Sequence, residues 1–374
     1  MDPTVKFDYV IVGGGSAGCI LANRLSADPS VRVALVEAGV DTPPDAVPEA
    51  IADSYPMPLF HGERYIWPTL QARATRKSLP KVYEQGCVMG GGSSINVQSA
   101  NRSLPRDYDE WRANGALGWG WSDVLPYFIR LESDLDFPDS PMHGHDGPVP
   151  IRRIARAKWP ALCQGFAKGL EAIGMTELAD QNGEFDDGYF ATPFSNRDDR
   201  RATSASAYLD AKVRARVNLF IFSQTHVLSI EIDASKRVTG VIARNAQGER
   251  LVLKAERETI LAAGALQTPA LLLRAGIGDA SALQASGVTV RHHLPGVGRN
   301  LQDHPSLTFC HFLPPAFRAP TSRARGCGQA GSGRAIDGRR RCCVAFVAGS
   351  EYRSSGFHPS VILDARESVE SRDA

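Results

Sequence analysis

The stretch YVIVGGGSAGCILANRL, residues 9–25, decides the fold and matches two glycine motifs at once. The spacing of Gly13, Gly15 and Gly18 is the GxGxxG fingerprint of dinucleotide binding. The overlapping GGSAG, with Ser16 at its centre, has the spacing of a hydrolase nucleophile elbow. Both motifs lie on a strand, a tight turn and a helix, so this stretch alone leaves both functions open.

The sequence that follows favours phosphate binding. Residues 9–12 predict a buried strand, residues 16–25 have the apolar spacing of a helix, and residues 31–36 predict a second strand. Glu37 ends this second strand about 20 residues after the fingerprint, where a carboxylate accepts the hydroxyls of an adenosine ribose. A hydrolase elbow or a glycine turn without a ligand requires no such acid. The unit therefore predicts a dinucleotide site.

Each fingerprint residue has a physical role in that site. Gly13 permits the tight turn, Gly15 lets backbone N–H groups approach a pyrophosphate, and Gly18 lets the helix pack closely on the strand. Ser16 then lies near phosphate at the start of the helix and is not a nucleophile. This unit does not distinguish NAD from FAD.

A second glycine-rich stretch, GCVMGGGSSINVQSANR, covers residues 86–102. Its consecutive glycines allow the backbone to lie flat against a ligand, and its serines and asparagine offer polar contacts. The alternative is a loop that only needs unusual dihedral angles. Taken alone, the stretch leaves these two interpretations open.

The composition is that of an ordinary globular protein: 374 residues, 43% hydrophobic, 22% charged and a net charge of +1. This balance predicts no nucleic-acid partner. Because the sequence has neither a long apolar run nor a basic leader, we expect no transmembrane segment and no signal peptide. We expect a cytoplasmic protein, with peripheral association at the inner membrane as the alternative. Seven cysteines without a CxxC pair favour reduced thiols.

Five ordered blocks resemble the glucose-methanol-choline (GMC) oxidoreductases, a family of FAD enzymes that oxidise alcohols. The resemblance covers residues 7 to 310 and is nearest to bacterial choline and alcohol dehydrogenases. The blocks are 86–96, similar to the first family signature; GALQTPALLLRAGIG at 264–278, matching the second; LPGVGRNLQDHP at 294–305; HGHDGPVPI at 143–151; and RATSASAYL at 201–209.

The resemblance implies an α/β fold, with a Rossmann-like FAD-binding domain of the GMC type and a partial substrate domain. Residues 1–150 would form the first part of the FAD-binding domain, residues 151–199 the start of the substrate domain, and residues 200–313 the second part of the FAD-binding domain. We expect residues 314–374 to be a disordered tail unrelated to the family, because they are rich in Arg, Gly and Cys without strand or helix periodicity.

The family also implies which residues bind FAD. Glu37 would bind the adenosine ribose, residues 96–99 would lie along the flavin and its phosphates, and Val227 would meet the adenine through its backbone. The implied cofactor-binding residues are Gly13, Gly15, Ser16, Gly18, Glu37, Val88, Gly91, Asn96, Val97, Gln98, Ser99, Val227, Ala263 and Gly264.

In the family, hydride passes from the carbinol carbon of a small-molecule alcohol to flavin N5, and the base is a histidine in a C-terminal segment. The present chain shows no equivalent segment, so we assign no catalytic residue and expect a truncated, inactive chain. A shifted reading frame explains the tail better than a genuine basic segment does. The alternatives are an FAD-binding remnant without activity and a flavin-dependent lyase of the same family. The electron acceptor is left open.

Two further features of the sequence concern metals and charge. His143 and His145 form an HxH pair, but no third ligand follows at a suitable spacing, so we predict no metal site. Cys87 stands where the family usually has Arg or Lys, which removes a cation near the cofactor phosphates. We expect water or a neighbouring residue to compensate, and we assign Cys87 no redox role.

Overall fold

The computed structural model describes residues 4–54, 59, 63–73, 77–159, 161–301, 303 and 347–348. These residues form two compact units. The first unit contains the described residues up to Asn96 and those from Arg201 to Leu301. The second contains Val97–Arg200 together with Asp303 and Val347–Ala348. Apart from residues 347–348, the predicted tail at 314–374 lies outside the described residues, as do His61, His304 and the other histidines beyond it.

Strands and helices are mixed along the chain. The described strands are β1 (Thr4–Val12), β2 (Val33–Val36), β3 (Gln71–Ala72), β4 (Lys81–Val82), β5 (Glu132–Asp134), β6 (Val149–Arg152), β7 (Glu177–Leu178), β8 (Gly188–Phe190), β9 (Phe194–Arg197), β10 (Arg200–Arg201), β11 (Leu219–Phe222), β12 (His226–Ile232), β13 (Val238–Arg244), β14 (Arg250–Leu261), β15 (Ile277–Gly278), β16 (His292–His293) and β17 (Val347–Ala348). The described helices are α1 (Ser16–Leu25), α2 (Glu49–Ala52), α3 (Gly92–Ile95), α4 (Pro105–Ala113), α5 (Trp121–Leu131), α6 (Ala161–Ala172), α7 (Gln181–Glu184), α8 (Ser204–Tyr208), α9 (Ala211–Arg214), α10 (Gly264–Arg274) and α11 (Ala280–Ala285).

A six-stranded sheet forms the centre of the first unit, in the order β11-β2-β1-β14-β13-β12. The strands β11, β2, β1 and β14 run parallel, and β13 and β12 continue the sheet as an antiparallel meander. The parallel part confirms the predicted α/β class. The carboxyl ends of β1 and β2 lie side by side, because Val12 pairs with Val36. Ligands of open α/β sheets bind at this edge.

The sequence pattern explains the central βαβ unit. The residues of β2 are all buried, as the apolar run predicted, and α1 begins and ends at the predicted residues. The first strand begins earlier than predicted, at Thr4, because its first half also pairs with β14. Phe7, inside this extension, is 1% exposed and belongs to the core of the sheet.

The second unit has small sheets and amphipathic helices. The strand β6 pairs in parallel with β5 and antiparallel with β9. Aromatic side chains pack α4 against α5, with the ring of Tyr108 between 5.3 and 5.8 Å from the rings of Trp111, Trp121 and Phe128. This unit begins at Val97, earlier than the predicted start of the substrate domain at residue 151, and the predicted functional division of the domains stays a prediction. Within the described residues, no helix has the length and apolar character needed to cross a membrane.

Candidate cofactor site

We call the turn between β1 and α1 the fingerprint loop (Gly13–Ser16). Both this loop and the first turn of α1 require a glycine. Gly13 has a φ angle of +102°, which residues with a side chain rarely adopt. A Cβ atom at Gly18 would overlap the carbonyl oxygen of Gly13, so only glycine lets the first turn of α1 approach the strand. Both observations agree with the roles predicted for these residues.

Glu37, directly after β2, is hydrogen-bonded to the fingerprint loop. Its side chain is buried, and its Oε2 accepts a hydrogen bond from the N–H of Gly14 at 2.7 Å. Its Oε1 accepts one from the N–H of Gly39 at 2.8 Å. Burial raises the pKa of Glu37, and these two amide donors act in the opposite direction. A carboxylate has about four acceptor positions, so these amides leave acceptor capacity for the hydroxyls of a ligand.

The second glycine loop (Gly90–Gly92) lies directly against the first. The N–H of Gly90 donates to the carbonyl oxygen of Gly14 at 2.7 Å. A Cβ atom on Gly91 would lie 2.7 Å from the Cα atom of Gly15, so the two backbones are in close contact. Val88, just before this loop, is fully buried and forms a bridge with Val40. The structure thus brings together two motifs that are more than seventy residues apart in sequence.

The turn after β14 borders the fingerprint loop on another side. A Cβ atom on Gly13 would lie 2.6 Å from the carbonyl oxygen of Ala262 and 2.8 Å from the Cα atom of Ala263. Gly264, which begins α10, has a φ angle of +78°. Ala263 thus borders the fingerprint loop, and the predicted role of Ala263 and Gly264 in cofactor binding stays a prediction.

Val227, which was also predicted to bind the cofactor, is buried in β12. Its strand is connected to Glu37, because the N–H of Thr225 donates to the carbonyl oxygen of Glu37 at 2.9 Å. The neighbouring Gln224 donates in the same way to the carbonyl oxygen of Gly39 at 2.8 Å. The predicted site residues up to Asn96, together with Val227, Ala263 and Gly264, thus belong to connected segments of one unit.

The shape and the donors of this region fit a dinucleotide. A Cβ atom on Gly92 or Gly264 would meet nothing within 4 Å, and one on Gly15 would meet only the Cα atom of Gly91, at 3.9 Å. The helix α1 begins beside this open space without a side-chain cap, so its first N–H groups are available to an anion. Open space beside the free amide donors at the start of a helix suits a diphosphate.

The hydrolase alternative finds no support in this geometry. Ser16 is exposed at the start of α1, and its hydroxyl group has no histidine or carboxylate partner among the described residues. Glu37 accepts from backbone amides, and no histidine among the described residues contacts it, so it orients no base there. A serine without such a partner is a weak nucleophile.

Three predicted cofactor residues, Val97, Gln98 and Ser99, belong to the second unit. Gln98 is 2% exposed, has a φ angle of +63° and accepts a hydrogen bond from the Nδ2 atom of Asn196 at 3.0 Å. The hydroxyl oxygen of Ser99 is buried and has no hydrogen-bond partner in the described part of the chain. Asn96, the residue before this segment, is exposed.

Both cysteines near the site are protonated at neutral pH. Burial raises the pKa of Cys87 to about 11, and the charge of Glu37 acts in the same direction. Burial also raises the pKa of Cys19 to about 12, and its Sγ atom donates to the carbonyl oxygen of Gly14 at 3.2 Å. A protonated thiol is a poor nucleophile, which agrees with the absence of a redox role for Cys87.

A separate cluster of ionic side chains is buried in the second unit. His143 is fully enclosed, with its Nδ1 atom 2.6 Å from Glu132 Oε1 and its Nε2 atom 2.8 Å from Asp180 Oδ2. Burial alone would lower the pKa of His143, but hydrogen bonds to Asp180 and Glu132 raise it to about 9. The ionic cluster, which we define by three carboxylates and three cations, consists of Glu132, Asp134, Asp180, Arg102, His143 and Arg153.

The HxH pair does not form one site, since His143 is buried and His145 is exposed. His143 could instead share a metal ion with Glu132 and Asp134, whose ligand atoms lie within 4.8 Å of one another. Arg102 and Arg153 bind these two carboxylates at 2.7 and 2.9 Å, however. The arginines thereby supply the positive charge that a metal ion would bring.

Several residues that shape the site were not predicted from the sequence. Gly14 and Gly39 provide the amides that bind Glu37, and Ala262 contacts Gly13. The position of Gly39, two residues after the acid, was the available signal for its role. Arg201 belongs to a recognised block, but nothing in the sequence shows that its side chain is buried beneath the second glycine loop.

Comparisons with known proteins agree with this geometry. A family model described as GMC oxidoreductase matches residues 7–306. The chain is 46% identical to 5-(hydroxymethyl)furfural oxidase of Methylovorus sp. (strain MP688), over 87% of this chain and 61% of that protein. It is 36% identical to the oxygen-dependent choline dehydrogenase of Vibrio vulnificus, over 81% of this chain and 53% of that protein.

Among solved structures, pyridoxine 4-oxidase from Mesorbium loti matches with a TM-score of 0.70 and 32% identity. The match covers 77% of this chain and 55% of that one. The chain thus spans between about half and three fifths of the length of these relatives. The family and its solved members are FAD-binding flavoproteins, which confirms the predicted Rossmann-like FAD-binding fold and FAD as its cofactor.

Proposed function

The chain belongs to the GMC oxidoreductase family, and from this premise we propose that it is an FAD-dependent oxidoreductase acting on the CH–OH group of a small alcohol. The observation that carries the proposal is the open space beside Gly15 and Gly92, where the two glycine loops meet at the uncapped start of α1. Bound FAD supplies the acceptor for the hydride of the alcohol.

In this proposal, different residues bind different parts of the cofactor. The amides at the start of α1 and the bare backbone of Gly15 take the diphosphate, because both provide donors without steric hindrance. Glu37 accepts the ribose hydroxyls with the lone pairs that Gly14 and Gly39 leave free. Val227, Ala263 and Gly264 lie along the adenosine half, and the segment from Asn96 to Ser99 lies along the flavin.

The substrate class follows from the relatives. Two of them are named for the oxidation of 5-(hydroxymethyl)furfural and of choline, both of which carry a primary alcohol. We therefore propose a primary alcohol, and we leave the electron acceptor open between oxygen and a dye or quinone. The cytoplasmic location stays a prediction.

The second candidate is FAD binding without turnover. Among the described histidines, His143 is enclosed by carboxylates and protonated at neutral pH, so it cannot accept a proton from an alcohol. His145, His226, His292 and His293 are exposed. No described residue is therefore assigned as the base.

Two measurements test these candidates. Protein fluorescence is titrated with FAD and separately with NAD, and FAD is expected to bind more tightly. The FAD-loaded chain is then assayed with choline, 5-(hydroxymethyl)furfural and simple primary alcohols, with oxygen and with a redox dye. Oxidation of any of these supports the first candidate, and FAD binding without oxidation supports the second. Cleavage of a hydroxynitrile would replace both with a lyase, and tighter binding of NAD would contradict the cofactor assignment.

A further inference from the structure

Arg201 places a positive charge inside the first unit. The residue is 5% exposed, its Nε atom donates to the carbonyl oxygen of Ile51 at 3.1 Å, and its Nη1 atom donates to the carbonyl oxygen of Asn96 at 2.6 Å. Nη1 also contacts the side-chain oxygen of Asn96 at 3.0 Å. The Nη2 atom is buried and has no hydrogen-bond partner within the described residues.

No carboxylate lies within ion-pair distance of this guanidinium in the described part of the chain. Burial lowers the pKa of Arg201 to about 10, and the more distant charge of Asp53 partly opposes that effect. The side chain is therefore charged at neutral pH. A buried cation that is bound only by neutral oxygens keeps much of its desolvation penalty.

The guanidinium lies at the carbonyl end of α3. Besides Asn96, it contacts the carbonyl oxygen of Ser93 at 3.4 Å. A cation in this position satisfies the last carbonyl groups of a helical turn and complements its dipole. Arg201 thus connects the end of α3 to Ile51, so its contacts join two chain segments that are distant in sequence.

The opposite end of α3 faces the fingerprint loop. Its N-cap, Gly91, approaches Gly15 so closely that a Cβ atom would lie 2.7 Å from the Cα atom of Gly15 and 3.6 Å from the nitrogen of Ser16. A shift of α3 would therefore move the second glycine loop relative to the start of α1. Arg201 is one turn of helix away from this contact, on the buried side of the loop.

We propose that Arg201 is a positioning residue for FAD: it fixes the second glycine loop against the fingerprint loop, and its charge offsets that of the diphosphate. The inference rests on the proposed function.

The test measures FAD affinity by fluorescence titration in wild type, Arg201→Met and Arg201→Lys, with each value corrected for the folded fraction. The matched control is Arg216→Met. Arg216 also donates to the carbonyl end of a helix, at Asn23 O and Ser26 Oγ of α1. That end is about 15 Å from Gly15, because α1 has ten residues.

We expect Arg201→Met to bind FAD at least tenfold more weakly, Arg201→Lys to recover most of the loss, and Arg216→Met to stay within twofold of wild type. The charge also predicts a salt effect. Raising NaCl from about 50 to about 300 mM should weaken FAD binding more in wild type than in Arg201→Met, since salt screens an attraction that the variant lacks.

Wild-type affinity in Arg201→Met, or an equal loss in Arg216→Met, would overturn the inference and leave the proposed function intact. If the wild type binds no FAD, both the inference about Arg201 and the proposed function are contradicted. If Arg201→Met does not fold, Arg201→Lys decides the question. An FAD affinity within threefold of wild type, with the same salt dependence, supports the inference, and a tenfold loss overturns it.

Discussion

In the second unit, buried carboxylates and cations bind one another, whereas in the first unit Glu37 and Arg201 are bound by backbone groups. The ionic cluster around His143 contains as many cations as carboxylates, and its members use their charges on each other. Glu37 accepts from backbone amides and Arg201 donates to carbonyl oxygens, so both keep spare hydrogen-bonding capacity. The difference separates a structural use of buried charge from one that is available to a ligand.

The largest effect is expected at Glu37. Glu37→Ala leaves the amides of Gly14 and Gly39 without an acceptor, which should lower the free energy of unfolding by about 2–6 kcal/mol. FAD affinity of the folded fraction should fall at least tenfold, because the ribose hydroxyls lose a charged acceptor. Urea unfolding and FAD titration measure the two effects. Glu37→Gln keeps one acceptor and should show about half the loss of stability. A loss below about 1 kcal/mol in the Ala variant would contradict a stabilising role of the two hydrogen bonds to Glu37.

Substitutions of two fingerprint glycines should distinguish effects on stability from effects on FAD binding. Gly18→Ala should destabilise the chain by about 3 kcal/mol, because its methyl group overlaps the carbonyl oxygen of Gly13. Gly15→Ala should change stability by less than about 0.5 kcal/mol, since Gly15 has a φ angle of −76° and open space beside it. FAD affinity should nevertheless fall at least tenfold. Equal FAD affinity in wild type and Gly15→Ala would mean that the diphosphate lies elsewhere.

The ionic cluster should give a pH-dependent stability. The pKa of His143 rises from 6.5 to about 9, so its charge stabilises the folded chain fully below pH 6.5 and progressively less as pH rises through 9. We expect His143→Gln to be less stable than wild type by about 3 kcal/mol at pH 6, with the difference shrinking towards pH 9. Urea unfolding at several pH values measures it. The exposed His145→Gln is the control, and a difference independent of pH would show that His143 contributes by packing alone.

The smallest effect is expected for an ion pair on the surface. Lys6 and Glu256 approach to 3.1 Å on neighbouring strands of the main sheet, with side chains 68% and 58% exposed. Because water screens such a pair, Lys6→Met should change the free energy of unfolding by less than about 0.5 kcal/mol. A loss as large as that of His143→Gln would remove the distinction between buried and exposed charge on which the comparison rests.

Structural features that depend on residues close together in the sequence were predicted. Strand β2, helix α1 and the position of Glu37 follow from apolar spacing and glycine placement within about thirty residues. The two hydrogen bonds to the Glu37 carboxylate were not predictable, because they require the N–H groups of Gly14 and Gly39 to lie beside the same side chain. The resemblance supplied the second glycine loop, but not its hydrogen bond to the first.

The burial of His143 and Arg201 was also beyond the sequence. An HxH pair before DGP indicates a surface turn, and the partners of His143 are eleven and thirty-seven residues away, in β5 and before α7. Arg201 contacts carbonyl groups that precede it by more than a hundred residues. Contacts of this kind follow from tertiary packing, which local periodicity does not encode.

The position of β1 between β2 and β14 has a consequence for synthesis on the ribosome. Val12 pairs with Val36 on one side and with Leu261 on the other, so the second partner is made about 250 residues later. At about 5–20 residues per second, the apolar edge of β1 waits on the order of 10–50 s for its neighbour. During that time the nascent chain exposes an unpaired strand edge, a template for aggregation. The innermost strand of the finished sheet is therefore the segment for which chaperone protection during translation matters most.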